Sequence, residues 1–178
     1  MAASPATARS APFSIADAIT LMRIPLAVIF PLVSATPVRL VVLALAAGTD
    51  LGDGWVARRF GGSRIGTVLD PIADKLFVAV AFTVVWLAGR LTWYEILAVL
   101  ARDIIAAAAF FTAFATGRVA AVAARPGGKA VTLLQMVTLV AFVLDWNGLR
   151  RLAWATAAVG LYAIYDYHQP FVRTLRNR

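Results

Sequence analysis

The sequence predicts an all-α integral membrane protein of six transmembrane helices, and three observations carry that expectation. The 178 residues are 61% hydrophobic, with a mean hydropathy of +0.80, against ~45–50% apolar content in an ordinary soluble domain. The apolar residues gather into six runs, each near the ~20 residues that a bilayer-spanning helix needs. Basic residues concentrate in alternate connections between those runs. A lipid interior offers backbone groups no water, so spanning segments of this length are helical.

Taken in order, residues 1–12 are rich in Ala, Ser and Pro, and Arg9 is their only charged side chain. They read as a flexible tail before a single domain, residues 13–178. No secretory leader is expected, because the first apolar run leads straight into the body of the protein. Phe13 to Asp17 suggest an interfacial turn or helix. The six spans are expected at Ile19–Val33, Val38–Ala57, Thr67–Ala88, Trp93–Ala115, Ala130–Leu144 and Leu152–Tyr167. Pro25, Pro31 and Pro37 predict a kink in or after the first span, since proline removes a helix hydrogen bond. Ala106–Ala109 suits close helix packing in lipid. Trp93, Trp146 and Trp154 read as an interfacial belt.

An even number of spans puts both termini on one side. On that side lie Arg9, then Arg58, Arg59 and Arg64, then Arg118, Arg125 and Lys129, then Arg173, Arg176 and Arg178. The other side holds Arg39, Arg90, Arg150 and Arg151. Ten against four places both termini in the cytoplasm. The net charge of +8 is then a topology signal and a means of contacting phosphates or anionic lipid, with no nucleic-acid partner expected. The chain has no cysteine and one histidine, His168. That excludes a disulfide framework and a thiolate zinc site, and argues against histidine-based catalysis.

The chemistry is expected at the cytoplasmic ends of the second and third spans. Asp50 and Asp53 are three residues apart, Asp70 and Asp74 four apart, so each pair shares a helix face. Carboxylates in a spanning segment are costly and point to a functional site. Four of them around one point repel each other unless cations intervene, and an oxygen-rich donor set suits two Mg²⁺ or Mn²⁺ ions. Gly54, Ala57 and Gly66 recur at helical spacing from the acids and leave room for a ligand to approach the backbone. Arg58 and Arg59 stand at the water boundary, where a diphosphate calls for a cation. An ion pathway in a small channel or transporter is the remote alternative, and it leaves these Gly, Ala and Arg positions unexplained.

The pattern Asp50-x2-Asp53-Gly54-x2-Ala57-Arg58-x7-Gly66-x3-Asp70-x3-Asp74 resembles the signature of the CDP-alcohol phosphatidyltransferases. Thr20-Leu-Met-Arg23-Ile also resembles an N-terminal element of that family, with Asp17 near where it usually carries Asn. The resemblance covers most of the chain. It implies the family's fold, a cytoplasm-facing active site in a bacterial plasma membrane, and a homodimer. It also implies transfer of a phosphatidyl group from CDP-diacylglycerol to an acceptor hydroxyl, with loss of CMP. By the same resemblance Asp50, Asp53 and Asp70 bridge two divalent cations. Asp74 reaches the metal site and is the general base, and Gly54, Ala57, Arg58 and Gly66 cradle the CDP group, with Trp55 flanking it. Arg23, Arg102, Arg118, Arg125 and Lys129 are candidates for binding the acceptor or its phosphate.

Two acceptors are compatible with Leu69-Asp70-Pro71-Ile72-Ala73-Asp74-Lys75, which resembles both the phosphatidylglycerophosphate synthases and the eukaryotic-type cardiolipin synthases. The former tend to carry a second arginine eight residues after the one at Arg102, where this chain has Phe110. That difference, with Tyr162, Tyr165 and Tyr167 near the end, leads to an expectation of phosphatidylglycerol as acceptor and cardiolipin as product. The alternative is glycerol-3-phosphate. Arg102-Asp103 reads equally as an internal ion pair or as part of the acceptor site, and Lys75 as a lysine snorkelling to the interface.

Overall fold

A computed structural model describes residues 14–60, 66–116 and 126–176 of the 178. They form seven α-helices: α1 (Ile15–Leu21), α2 (Arg23–Leu32), α3 (Thr36–Phe60), α4 (Gly66–Leu87), α5 (Trp93–Ala115), α6 (Pro126–Val143) and α7 (Leu149–Arg176). No strand occurs among the described residues.

The first expected span is two helices. Ser14 and Asp17 form a capping box that starts α1: Ala16 N donates to Ser14 Oγ at 3.1 Å and Ser14 N to Asp17 Oδ2 at 2.7 Å. The helix breaks at Met22, whose N–H tightens onto the Ile19 carbonyl at 3.2 Å. Pro25 has no N–H to return to Leu21, and its ring crowds that carbonyl, so the break falls just before it. The ten residues of α2 cover only about 15 Å, half of a bilayer's ~30 Å core. The other five expected segments each become one helix. Among them α6 starts four residues before the expected Ala130, which brings Lys129 onto the helix. Among the described residues no helix is long and apolar enough to cross a membrane. Asp70, Asp74 and Lys75 interrupt the apolar run of α4, and Glu95, Arg102 and Asp103 that of α5.

The core lies where α2 packs on α3 and α4, and where α6 and α5 pack on α7. Phe30 and Phe77 meet edge to face at 6.1 Å between centroids, and Phe82, Val85, Val99 and Leu139 are fully buried around them. The outward faces are apolar too. On α6, Val131 and Leu139 are buried while Leu133 and Val137 are exposed.

One end of the bundle holds three short turns tied by charge. Arg90 of the α4–α5 turn pairs with Asp145 of the α6–α7 turn, and the Arg39 guanidinium lies over Phe30 and Phe142 at 5.6 and 5.8 Å. Thr92 N and Oγ donate to Glu95 at 2.8 and 2.7 Å to cap α5, and Glu95 also pairs with Arg150 at 2.9 Å. Asp145 is therefore ion-paired, with its side chain still 77% exposed. It sits at φ 55°, closing α6 with Trp146 N donating to Ala141 O at 2.9 Å, a Schellman arrangement that satisfies the last carbonyls. The expected site residues Asp50 and Asp74 lie on α3 and α4 away from these turns.

Candidate active site

Asp50 lies ten residues before the end of α3, and Asp74 in the third turn of α4. The fold brings both to the break between α1 and α2. Arg23, first residue of α2 and 2% exposed, reaches Asp50 with Nη2 to Oδ1 at 3.3 Å, and its Nε donates to Thr49 Oγ at 3.3 Å. Thr49 is held in turn by the Ala46 carbonyl at 2.8 Å. Asp74 is within Coulombic reach of Asp50, Arg23, Lys75 and Asp103. Two expected metal-site carboxylates and one expected acceptor-site cation thus converge. The kink at Met22 makes this possible, because it aims Arg23 inward at the end of α3.

The donor chemistry fits a hard divalent cation. Asp50 and Asp74 offer only carboxylate oxygens, and the Asp50 side chain is 44% exposed, so a hydrated ion can reach it. Among the described residues no group of three His, Cys, Asp or Glu gathers; the side chains of Asp53 and Asp70 lie outside that set, although their backbones belong to α3 and α4. The same holds for Gly54, Ala57 and Arg58 on α3. Gly66 is buried at the first residue of α4, and Arg59 is exposed near the end of α3. Arg118 and Arg125 lie outside the described residues, and Lys129 is exposed on the first turn of α6.

Losing Arg23 should expose the charge problem it solves. Arg23→Met removes a cation that pairs with Asp50 and lies within Coulombic reach of Asp74. We expect stability to fall by about 1–2 kcal/mol, a modest figure because solvent already screens half-exposed Asp50. Thermal unfolding in EDTA should show a larger drop in Tm than unfolding in excess Mg²⁺. Equal drops in the two conditions would argue against a shared charge site.

Farther along α5, Asp103 gathers partners from three helices. Its Oδ1 accepts from Lys75 Nζ at 3.2 Å and from Arg102 Nη1 at 2.8 Å. Its Oδ2 accepts from Gln135 Nε2 at 2.6 Å. Lys75 is therefore paired within the bundle and does not snorkel outward. The Arg102–Asp103 ion pair exists, yet Arg102 Nε is buried with no hydrogen-bond partner. Sequence reasoning missed Gln135. Its signal was present: one long amide inside the apolar run of α6, where an unpaired polar group is costly.

Phe110, the position that argued for a phosphatidylglycerol acceptor, lines an apolar groove of about 280 Å³ between α4 and α5 with Ile72, Lys75, Leu76, Ala107 and Phe111. Lys75 is the one cation among those side chains, so positive charge enters this groove from α4 and not from position 110, and the lack of an arginine there says little about the acceptor.

A profile of CDP-alcohol phosphatidyltransferases matches residues 13–164. The chain belongs to the CDP-alcohol phosphatidyltransferase family. It is an enzyme of that type, a transferase of phospholipid biosynthesis. This phosphatidyltransferase is 37% identical over 136 residues to the CDP-diacylglycerol--glycerol-3-phosphate 3-phosphatidyltransferase of Escherichia coli (strain K12), covering 71% of the chain and 75% of that protein. The same identity and coverage hold for the proteins of that name in Shigella flexneri serotype 5b (strain 8401) and Shigella sonnei (strain Ss046). The expectation of a cardiolipin synthase therefore loses ground. The relatives named here use the other acceptor that the sequence left open.

Proposed function

We propose that this phosphatidyltransferase moves the phosphatidyl group of CDP-diacylglycerol onto glycerol-3-phosphate, giving phosphatidylglycerophosphate and CMP. The observation that carries the reading is the half-buried Lys75–Asp103–Arg102 cluster next to Asp74, in which two cations share one carboxylate and can turn toward a phosphate. The relatives' shared name supports it.

In the reaction, a glycerol-3-phosphate hydroxyl oxygen forms a bond to the lipid-attached phosphorus, the bond from that phosphorus to CMP breaks, and the hydroxyl proton leaves. Asp74 is the base that takes the proton. Asp50, Asp53, Asp70 and Asp74 would hold two divalent cations, which when bound neutralise the diphosphate and polarise the phosphorus. Arg23 fixes Asp50 from behind. Gly54, Ala57, Arg58 and Gly66 cradle the CDP moiety, and Arg102 with Lys75 receives the acceptor's phosphate, to which Arg118, Arg125 and Lys129 add positive potential.

The setting we propose is a bacterial plasma membrane with the active site and both termini facing the cytoplasm, and the enzyme working as a homodimer. Helices α4 and α5, of 22 and 23 residues, measure about 33–35 Å, enough for a ~30 Å core. Exposed Leu32, Leu87 and Tyr162 suit lipid contact. The ionic side chains of α5 are paired internally, Glu95 with Arg150 and Asp103 with Lys75 and Arg102, the condition under which such groups are tolerated at membrane depth.

The test offers purified enzyme CDP-diacylglycerol, Mg²⁺ and equal concentrations of glycerol-3-phosphate and phosphatidylglycerol, with products resolved by mass. Phosphatidylglycerophosphate should exceed cardiolipin at least about tenfold, the ratio of one charged contact present for one acceptor and absent for the other. Dominant cardiolipin would restore the alternative and sink this reading.

A further inference from the structure

We propose that Gln135 is a positioning residue for the acceptor: through Asp103 it holds Arg102 and Lys75 aimed at the acceptor's phosphate. This rests on the glycerol-3-phosphate reading and adds the side chains that orient the phosphate-binding cations.

Gln135 is 1% exposed. The other polar residues in the body of α6, Thr132 and Thr138, return their hydroxyls to their own helix at Gly128 O and Leu134 O. Thr138 also meets Thr156 Oγ of α7 at 3.1 Å, whereas Gln135 reaches α5, to Asp103 Oδ2 at 2.6 Å and Val99 O at 3.2 Å. Both partners are acceptors, so the amide orientation is settled, and its two N–H donors are both used. Asp103 is thereby held on one oxygen from α6, leaving the other for Lys75 of α4 and Arg102 of α5. A carboxylate free to turn could give both oxygens to the Arg102 guanidinium in a fork. Pinned, it takes only Nη1 and leaves Arg102 Nε buried and without a partner. A buried orphan donor is costly and calls for an explanation. Here it adjoins a cluster in which Lys75 and Arg102 share the one oxygen of Asp103 that Gln135 leaves open. A phosphate dianion supplies both further negative charge and the missing acceptor.

The experiment uses the full-length enzyme and Gln135→Met, which keeps the volume and removes both donors. Inorganic phosphate serves as the probe, as a competitor of glycerol-3-phosphate. The KM for glycerol-3-phosphate and the Ki for phosphate should rise together, by about tenfold, the size of one hydrogen bond to a charged group. The KM for CDP-diacylglycerol and kcat should stay within about twofold of wild type, inside the scatter of such contacts. A merely structural glutamine would lower kcat or move both KM values, and leave the phosphate Ki unchanged; any of these results overturns the proposal. If Gln135→Met does not fold, Gln135→Asn, which withdraws the amide by one methylene, must show the same selective rise, and an unchanged Ki there overturns it equally. Failure of the acceptor reading is seen separately: wild-type enzyme that makes no phosphatidylglycerophosphate removes that reading and this inference together.

Discussion

Asp50→Asn, Asp53→Asn and Asp70→Asn are each expected to lose turnover by more than about 100-fold, beyond the 10–100-fold typical of residues that only orient a metal ligand. The amide keeps the shape of the carboxylate and removes its charge. Mg²⁺ or Mn²⁺ bind through charged oxygens, and an amide carbonyl is a weak substitute. Asp50 already sits against Arg23 at 3.3 Å, so its neutral variant also weakens the ion pairing of a buried guanidinium. Asp50→Asn should therefore lower Tm as well as activity. Turnover measured over a Mg²⁺ titration, with EDTA-treated wild type as the zero, checks the set. Near-wild-type activity in any of the three would remove that residue from the metal site.

Asp74→Asn is expected to cut kcat by about 10²–10⁴-fold, the contribution of a positioned general base. CDP-diacylglycerol binding should survive, because the cradle residues and the other three acids remain. Single-turnover kinetics beside a binding measurement with CDP separates the two effects. Loss of CDP affinity with an unchanged chemical step would make Asp74 a ligand and leave the base to another group.

Much of this was legible along the chain. The spacing from Asp50 to Asp74 depends on helix periodicity alone, so it named the family and the four acids without any tertiary information. Five of the apolar segments could be drawn close to their helices because each is a long apolar run bounded by polar, Gly or Pro residues. The break at Met22 was only half visible. Three prolines announced a kink, but its position, and the inward turn of Arg23 toward Asp50, follow from how α1 and α2 pack on α3 and α4.

The acceptor question shows the limit most clearly. Reading Phe110 as a missing arginine assumed that residues eight apart on one helix address the same ligand. In the bundle that position shares its groove with Lys75 of α4, so positive charge there comes from another helix, and Asp103, steadied by Gln135, ties Lys75 to Arg102. Asp103 and Gln135 are 32 residues apart, and Lys75 and Asp103 are 28 apart. The sequence alone determined the helices, the family and the order of the acids, because those depend on local periodicity. Only the tertiary structure decided which charges meet, because ion pairs between helices depend on which faces the packing turns toward each other.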